Sequence, residues 1–79
     1  PENVRGLRSG GDSMWPTIGD GQLVLIDTGV VELQDGRIYA VGAPDGLRLK
    51  RIQRQMDGGV LLISDNKERY QPEHVPRHE

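Results

Sequence analysis

A serine sits in an unusual setting within the run GDSMWPT at residues 11–17. Ser13 follows Gly10, Gly11 and Asp12 and precedes Met14, Trp15 and Pro16. A reactive serine needs an exposed hydroxyl on a constrained loop, a base nearby, and backbone N–H groups to hold an oxyanion. The two glycines let the backbone approach a substrate closely, so the string supplies such a loop. The plainer alternative is a serine that caps the turn before Trp15-Pro16. The local residues leave both readings open.

A nucleophile needs a base. The two histidines, His74 and His78, lie in the polar tail, and nothing in the pattern marks either as a partner for Ser13. The chain has two lysines. Lys67 belongs to the polar turn DNKER and reads as solvated. Lys50 lies inside a β-rich run, LRLKRI. A free lysine titrates near ~10.4, and a working base needs a fall of roughly three units, about 4 kcal/mol. Apolar walls and neighbouring positive charge both act in that direction. Alternation along a strand puts Arg48, Lys50, Ile52 and Arg54 on one face and Leu47, Leu49, Arg51 and Gln53 on the other. The cleaner apolar pair, Leu47 and Leu49, is therefore opposite Lys50. Read alone, that alternation points Lys50 to water, in a basic stripe on an edge strand.

The elements that must position these residues are short. Four Asp-Gly pairs, at 20–21, 35–36, 45–46 and 57–58, punctuate the chain. Such pairs tolerate positive φ and signal turns. Between them lie QLVLID (22–27), RIYAVG (37–42), LRLKRIQRQ (47–55) and GVLLIS (59–64). Runs of this length predict a mostly β, antiparallel chain that forms a small sandwich or barrel. YAVGAPDGLRLK and QRQMDGGVLL read as hairpins. A short helical turn is expected around Trp15–Ile18, and a short final strand near His74-Val75. No segment of 12 or more residues carries a 3.6-residue apolar period.

Composition sets the outer limits. With 79 residues and 34% hydrophobic content, one domain is the ceiling. The core must come mostly from Leu, Ile and Val, because there is no Phe and only one Trp. No cysteine is present, which excludes disulfides and cysteine metal sites and suits a reducing cytoplasm. A net charge of −2 argues against a non-specific nucleic-acid binder. The longest apolar run, LVLI at 23–26, is far too short to span a bilayer.

GDSMWPTIGDGQLVLID resembles the serine motif of the LexA-like self-cleaving repressors, which include phage repressors and the UmuD relatives. Gly11, Asp12, Ser13, Met14, Pro16, Thr17, Asp20 and Gly21 fit the pattern. DGRIYAV, LRLKRI and LLISDNKERYQPEHV resemble later blocks of that family in the same order, and its lysine falls on Lys50. The match runs from residue 7 to about 75. The resemblance implies a mostly β fold shared with bacterial signal peptidases. It also implies a Ser/Lys dyad, with Ser13 as nucleophile and unprotonated Lys50 as general base. Gly11, Asp12 and Met14 would support the loop and its oxyanion-binding backbone.

The same resemblance implies a C-terminal peptidase and dimerisation domain over residues 1–79, a homodimer with no cofactor and no metal. DNA would be engaged only through a helix-turn-helix domain outside this chain. Expected further are a RecA-type activator, an SOS-type response, a cytoplasmic location and no membrane. The bond cut in the family is Ala-Gly or Cys-Gly, and neither pair occurs here, so the cleavage linker is expected upstream. Ser9 and Gly10 depart from the apolar entry strand usual in the family. Trp15 takes a position often acidic in phage repressors, where an exposed ring would suit a subunit contact. A non-catalytic dimerisation module of a transcriptional regulator is the rival expectation.

Overall fold

The computed structural model describes residues 3–29 and 32–77. Six strands follow one another: β1 (Val4–Arg8), β2 (Leu23–Asp27), β3 (Ile38–Ala43), β4 (Gly46–Arg54), β5 (Val60–Ile63) and β6 (Glu73–Val75). β1 pairs with β2 in one sheet, and β3-β4-β5-β6 form a second, with every pairing antiparallel. No α-helix occurs among the described residues, and the sheets do not close into a barrel. The arrangement is that of a small β-sandwich.

The Asp-Gly signals explain most of this. Gly21, Gly36, Gly46 and Gly58, the glycines of the four pairs, all have positive φ. The β3–β4 hairpin closes on Pro44-Asp45, with Ala43 opposite Gly46. The β4–β5 hairpin opens at Arg54 opposite Val60. The expected final strand is β6. β1 is not marked by composition, since VRGLR holds a glycine and two arginines. It is a strand because β2 pairs with it along its whole length, from Val4↔Asp27 to Arg8↔Leu23.

The core lies between the sheets. Met14, Ile18 and Leu49 are its buried centre, with Leu7, Val24, Ile26, Ile38 and Ala40 packed around them. Met14 is the most enclosed side chain, 2% exposed. The loop that carries Ser13 is thus nailed to the core by the residue immediately after it. The expected helical turn is a single one, in which Ile18 N–H donates to the Met14 carbonyl at 2.9 Å.

One expectation fails here. β4 is a central strand, flanked by β3 and β5, and not an edge. Leu49 and Lys50 are adjacent, yet each is only 7% exposed. A strand covered on both faces buries consecutive residues, so alternation no longer separates inside from outside. The basic stripe is broken at its middle: Arg48 and Arg54 are exposed, and Lys50 is not.

Candidate functional site

Ser13 lies on the connection between β1 and β2. The ladder of these strands runs on past their ends, where Ser9 N–H donates to the Gln22 carbonyl at 2.9 Å and Gly21 N–H to the Ser9 carbonyl at 2.7 Å. Residues 10–20 are therefore held at a tight neck. Gly11 has φ 82°, a conformation that admits glycine most readily, and its N–H donates to Asp20 Oδ1 at 2.9 Å. The departures at Ser9 and Gly10 thus leave the strand pairing intact.

Residues 64–70 brace the loop from the other side. Asn66 N–H donates to the Ser13 carbonyl at 2.9 Å, and Asn66 Nδ2 donates to the Asp12 carbonyl at 2.9 Å. The Asp12 carboxylate accepts from the Tyr70 hydroxyl and from Arg69, each at 2.5 Å. These bonds hold the Asp12 carboxyl below the usual range, with the Tyr70 hydroxyl the main cause and the Arg69 charge a further one. The same contact raises the Tyr70 hydroxyl. In Tyr70→Phe the Asp12 carboxyl should titrate at higher pH than in the parent, with Arg69 still holding it partly down. An NMR carboxyl titration reads this directly, and an unchanged Asp12 curve would contradict it.

One step further out, Arg51 donates to both oxygens of Asp65 at 2.9 and 2.8 Å, and Thr17 Oγ1 donates to the same carboxylate at 2.6 Å. The Arg51 pairing is the main reason that the Asp65 carboxyl is lowered from 3.8 to about 2. Its side chain is only 12% exposed, so solvent screens the pair weakly. A depressed carboxylate stabilises the fold above its unfolded value, and that stability is lost as pH falls through its folded value. The fold should therefore lose about 2 kcal/mol between pH 5 and pH 2 from this group alone. Melting at the two pH values compares the parent with Asp65→Asn. The variant should melt lower at neutral pH and lose less on acidification; equal losses would contradict the assignment.

The sequence-derived candidates converge in part. A cleft of about 290 Å³ runs between residues 7–13 on one wall and residues 47–50 on the other, with Tyr70 and Glu73 beside it. Ser13, Gly11, Asp12 and Lys50 all line it. Met14 does not, because its side chain fills the core. Ser13 is half-buried. Lys50 Nζ donates to Ser64 Oγ at 2.6 Å and lies 5.4 Å from the centre of the Tyr70 ring, within cation–π range. His74 is elsewhere, with Nε2 3.0 Å from Asp57 Oδ2 across the β5–β6 end of the sheet. His78 lies outside the described residues. Lys67 is exposed, as expected.

Two residues of this site escaped the sequence reading. Ser64 and Tyr70 stood in a stretch taken as the end of a strand and a polar loop. A signal for Ser64 existed. Arg54↔Val60 and Arg51↔Ile63 are pairs of one register, and one more step sets Ser64 opposite Lys50. Tyr70 had no such local signal, because its contacts depend on how the 64–70 turn folds back over the cleft.

The Peptidase S24-like family model matches residues 1–79. The chain belongs to the Peptidase S24-like family. Its relatives in that family are regulators by name. It is 42% identical over 71 residues to an "Uncharacterized HTH-type transcriptional regulator" of Haemophilus influenzae, covering 90% of this chain and 29% of that protein. It is 41% identical over 58 residues to "Repressor protein CI" of Enterobacteria phage phi80, covering 73% of this chain and 25% of the repressor. It is 41% identical over 63 residues to "HTH-type transcriptional regulator PrtR" of Pseudomonas aeruginosa, covering 80% of this chain and 25% of that protein. This S24-like chain thus spans between a quarter and a third of the length of these relatives. No solved structure matches it. Among the described residues, no helix is long and apolar enough to cross a membrane.

Proposed function

We propose that this chain is the C-terminal regulatory domain of a phage- or LexA-type transcriptional repressor, where it mediates dimerisation and carries a latent Ser13/Lys50 self-cleavage dyad. The observation that carries the reading is that Lys50, buried inside a central strand, lines the same cleft as Ser13. Among the described residues Lys50 bonds the Ser64 hydroxyl and no carboxylate. In this mechanism the unprotonated Lys50 amine takes the proton of the Ser13 hydroxyl. Ser13 Oγ then attacks the scissile carbonyl of the upstream segment. Backbone N–H groups around Ser13, its own included, hold the oxyanion. Delivery of the bond by the same polypeptide replaces the binding energy of a separate substrate. The repressor relatives support the regulatory setting. The DNA contact, the RecA-type activator and the cytoplasmic location belong to the proposal with it.

The test is self-cleavage of a polypeptide that carries the upstream segment, at neutral and alkaline pH. Loss of cleavage in Ser13→Ala and Lys50→Ala supports the dyad, and persistence in either removes it. A second reading, a dimerisation module without catalysis, draws on a different observation. Trp15, Leu23, Leu25 and Leu47 are all more than half exposed, 58%, 56%, 71% and 58% respectively. Sedimentation should show a dimer under either reading. A dimer with no cleavage at any pH favours the second, and a monomer at high concentration sinks the dimerisation claim in both.

A further inference from the structure

We propose that Asn66 is the positioning residue for the oxyanion site: by bonding the carbonyls on both sides of Ser13, it sets which way the N–H groups beside the nucleophile point. The inference rests on the reading of Ser13 as the nucleophile.

A trans peptide is flat, and its carbonyl and N–H point in opposite directions. Whatever holds the carbonyl therefore aims the N–H. The Asp12–Ser13 peptide is held twice. Its carbonyl accepts from Asn66 Nδ2 at 2.9 Å and from the Trp15 N–H at 3.1 Å. The Ser13–Met14 peptide is held by the same residue, since its carbonyl accepts from the Asn66 N–H at 2.9 Å. Asn66 thus bonds both peptide units that flank the nucleophile, the first with its side chain and the second with its main chain. Residues 12–14 belong to no strand, so no sheet ladder orients these two peptides.

The opposite edges of the two peptides are uncommitted. Among the described residues, neither the Ser13 N–H nor the Met14 N–H donates to another group of the protein. Buried backbone donors are nearly always paired. Two successive unpaired donors beside a serine hydroxyl are the groups an oxyanion site needs. Ser13 lines the cleft and Asn66 does not. With the Asp12 carbonyl drawn to the Asn66 side, the Ser13 N–H is left on the side away from Asn66. There it meets the charge that develops on the scissile oxygen as Ser13 Oγ bonds to the carbonyl carbon.

Asn66 is itself well fixed. It lies three residues past the end of β5, and its carbonyl accepts from the N–H groups of Arg69 and Tyr70 at 3.3 and 3.1 Å. The amide that holds the Asp12 carbonyl is therefore carried by the same turn whose Arg69 and Tyr70 hold the Asp12 carboxylate. The division of labour is specific: the carboxylate bonds hold the loop in place, and the Asn66 amide sets the rotation of one peptide within it.

The test uses the polypeptide carrying the upstream segment, with thermal melts to confirm folding. Asn66→Asp keeps the size of the side chain and the main-chain bond, but it sets a carboxylate oxygen against the Asp12 carbonyl. Two acceptors repel, so the peptide turns. Self-cleavage should slow by on the order of 10²-fold, the loss that removal of one oxyanion donor produces. Asn66→Ala, which releases the peptide without repelling it, should slow cleavage less. Asn66→His has a ring nitrogen able to donate, as many bonds from Cα as Nδ2 is, and should recover part of the rate lost in Asn66→Ala. The nuclear Overhauser effect between Asp12 Hα and the Ser13 N–H reports how the peptide is turned. It should change in Asn66→Asp and return towards the parental value in Asn66→His, which a general loosening of the loop would not produce. A folded Asn66→Asp that cleaves at the parental rate would overturn the proposal, as would slow cleavage with an unchanged Overhauser effect. If Asn66→Asp does not fold, equal rates in Asn66→Ala and Asn66→His overturn it instead. Ser13→Ala separates the two claims. If it is inactive while Asn66→Asp keeps the full rate, only the role of Asn66 fails. If Ser13→Ala still cleaves, or the parent cleaves at no pH, the reading of Ser13 fails first and the proposal falls with it.

Discussion

Lys50→Met should abolish self-cleavage, by on the order of 10³-fold or more, while leaving the fold about as stable as before. Under the proposed mechanism the loss of rate follows from removing the group that takes the Ser13 proton; partners that act as a unit lose nearly all of their effect when one is removed. The retained stability follows from the burial of Lys50, at 7% exposure, where its amine bonds a hydroxyl and lies near an aromatic ring and, among the described residues, bonds no carboxylate. Holding a polar amine there opposes folding, and an apolar chain of similar length relieves that penalty. Against the gain stands the Ser64 hydroxyl, which loses its partner at a cost of about 1–3 kcal/mol. The two terms are of similar size, so the melting temperature should move by only a few degrees. Ser13→Ala should be equally inactive. A variant that unfolds at ordinary temperature would show instead that Lys50 holds the sheet together and that its place in the cleft is incidental.

Met14→Ala should be the most damaging substitution in the serine motif, with an effect on folding and not on chemistry. The side chain is 2% exposed and packs with Ile18 and Leu49. Truncating such a residue costs about 2–5 kcal/mol, from lost burial and the cavity left behind. A domain of this size has roughly 4–12 kcal/mol in total. The midpoint of thermal unfolding should fall by on the order of 10–20 °C. Met56 provides the internal comparison, because it is fully exposed on the β4–β5 turn, and Met56→Ala should be silent within about 0.5 kcal/mol. Equal shifts for the two methionines would contradict the placement of Met14.

The contrast between these residues shows what the sequence could and could not reveal. β2, β3, β4 and β5 were legible because Asp-Gly turns bracket runs of β-forming residues, and both the turns and the runs are local facts. β1 was hidden, because VRGLR is extended only by virtue of its pairing with β2. The burial of Lys50 was hidden for a related reason. Alternation describes one strand in isolation, and the cover on the second face comes from Ser64 and Tyr70, 14 and 20 residues further on. Ser13 and Lys50 came together as candidates only through the ordered family blocks, and both line one cleft. Met14 was read as support for the loop. Its side chain lies in the core and not in the cleft.

The serine loop owes its shape to residues made much later. Its braces on Asp12 come from Asn66, Arg69 and Tyr70, separated from it by 54 to 58 positions. Synthesis runs from the N-terminus, so Ser13 leaves the ribosome well before any of these partners exists. Lys50 likewise waits for Ser64. A growing chain therefore has Ser13 before it has the residues that brace its loop, and the bracing is complete only when the turn at 64–70 folds back. The order of the residues alone thus sets when the loop is completed during synthesis.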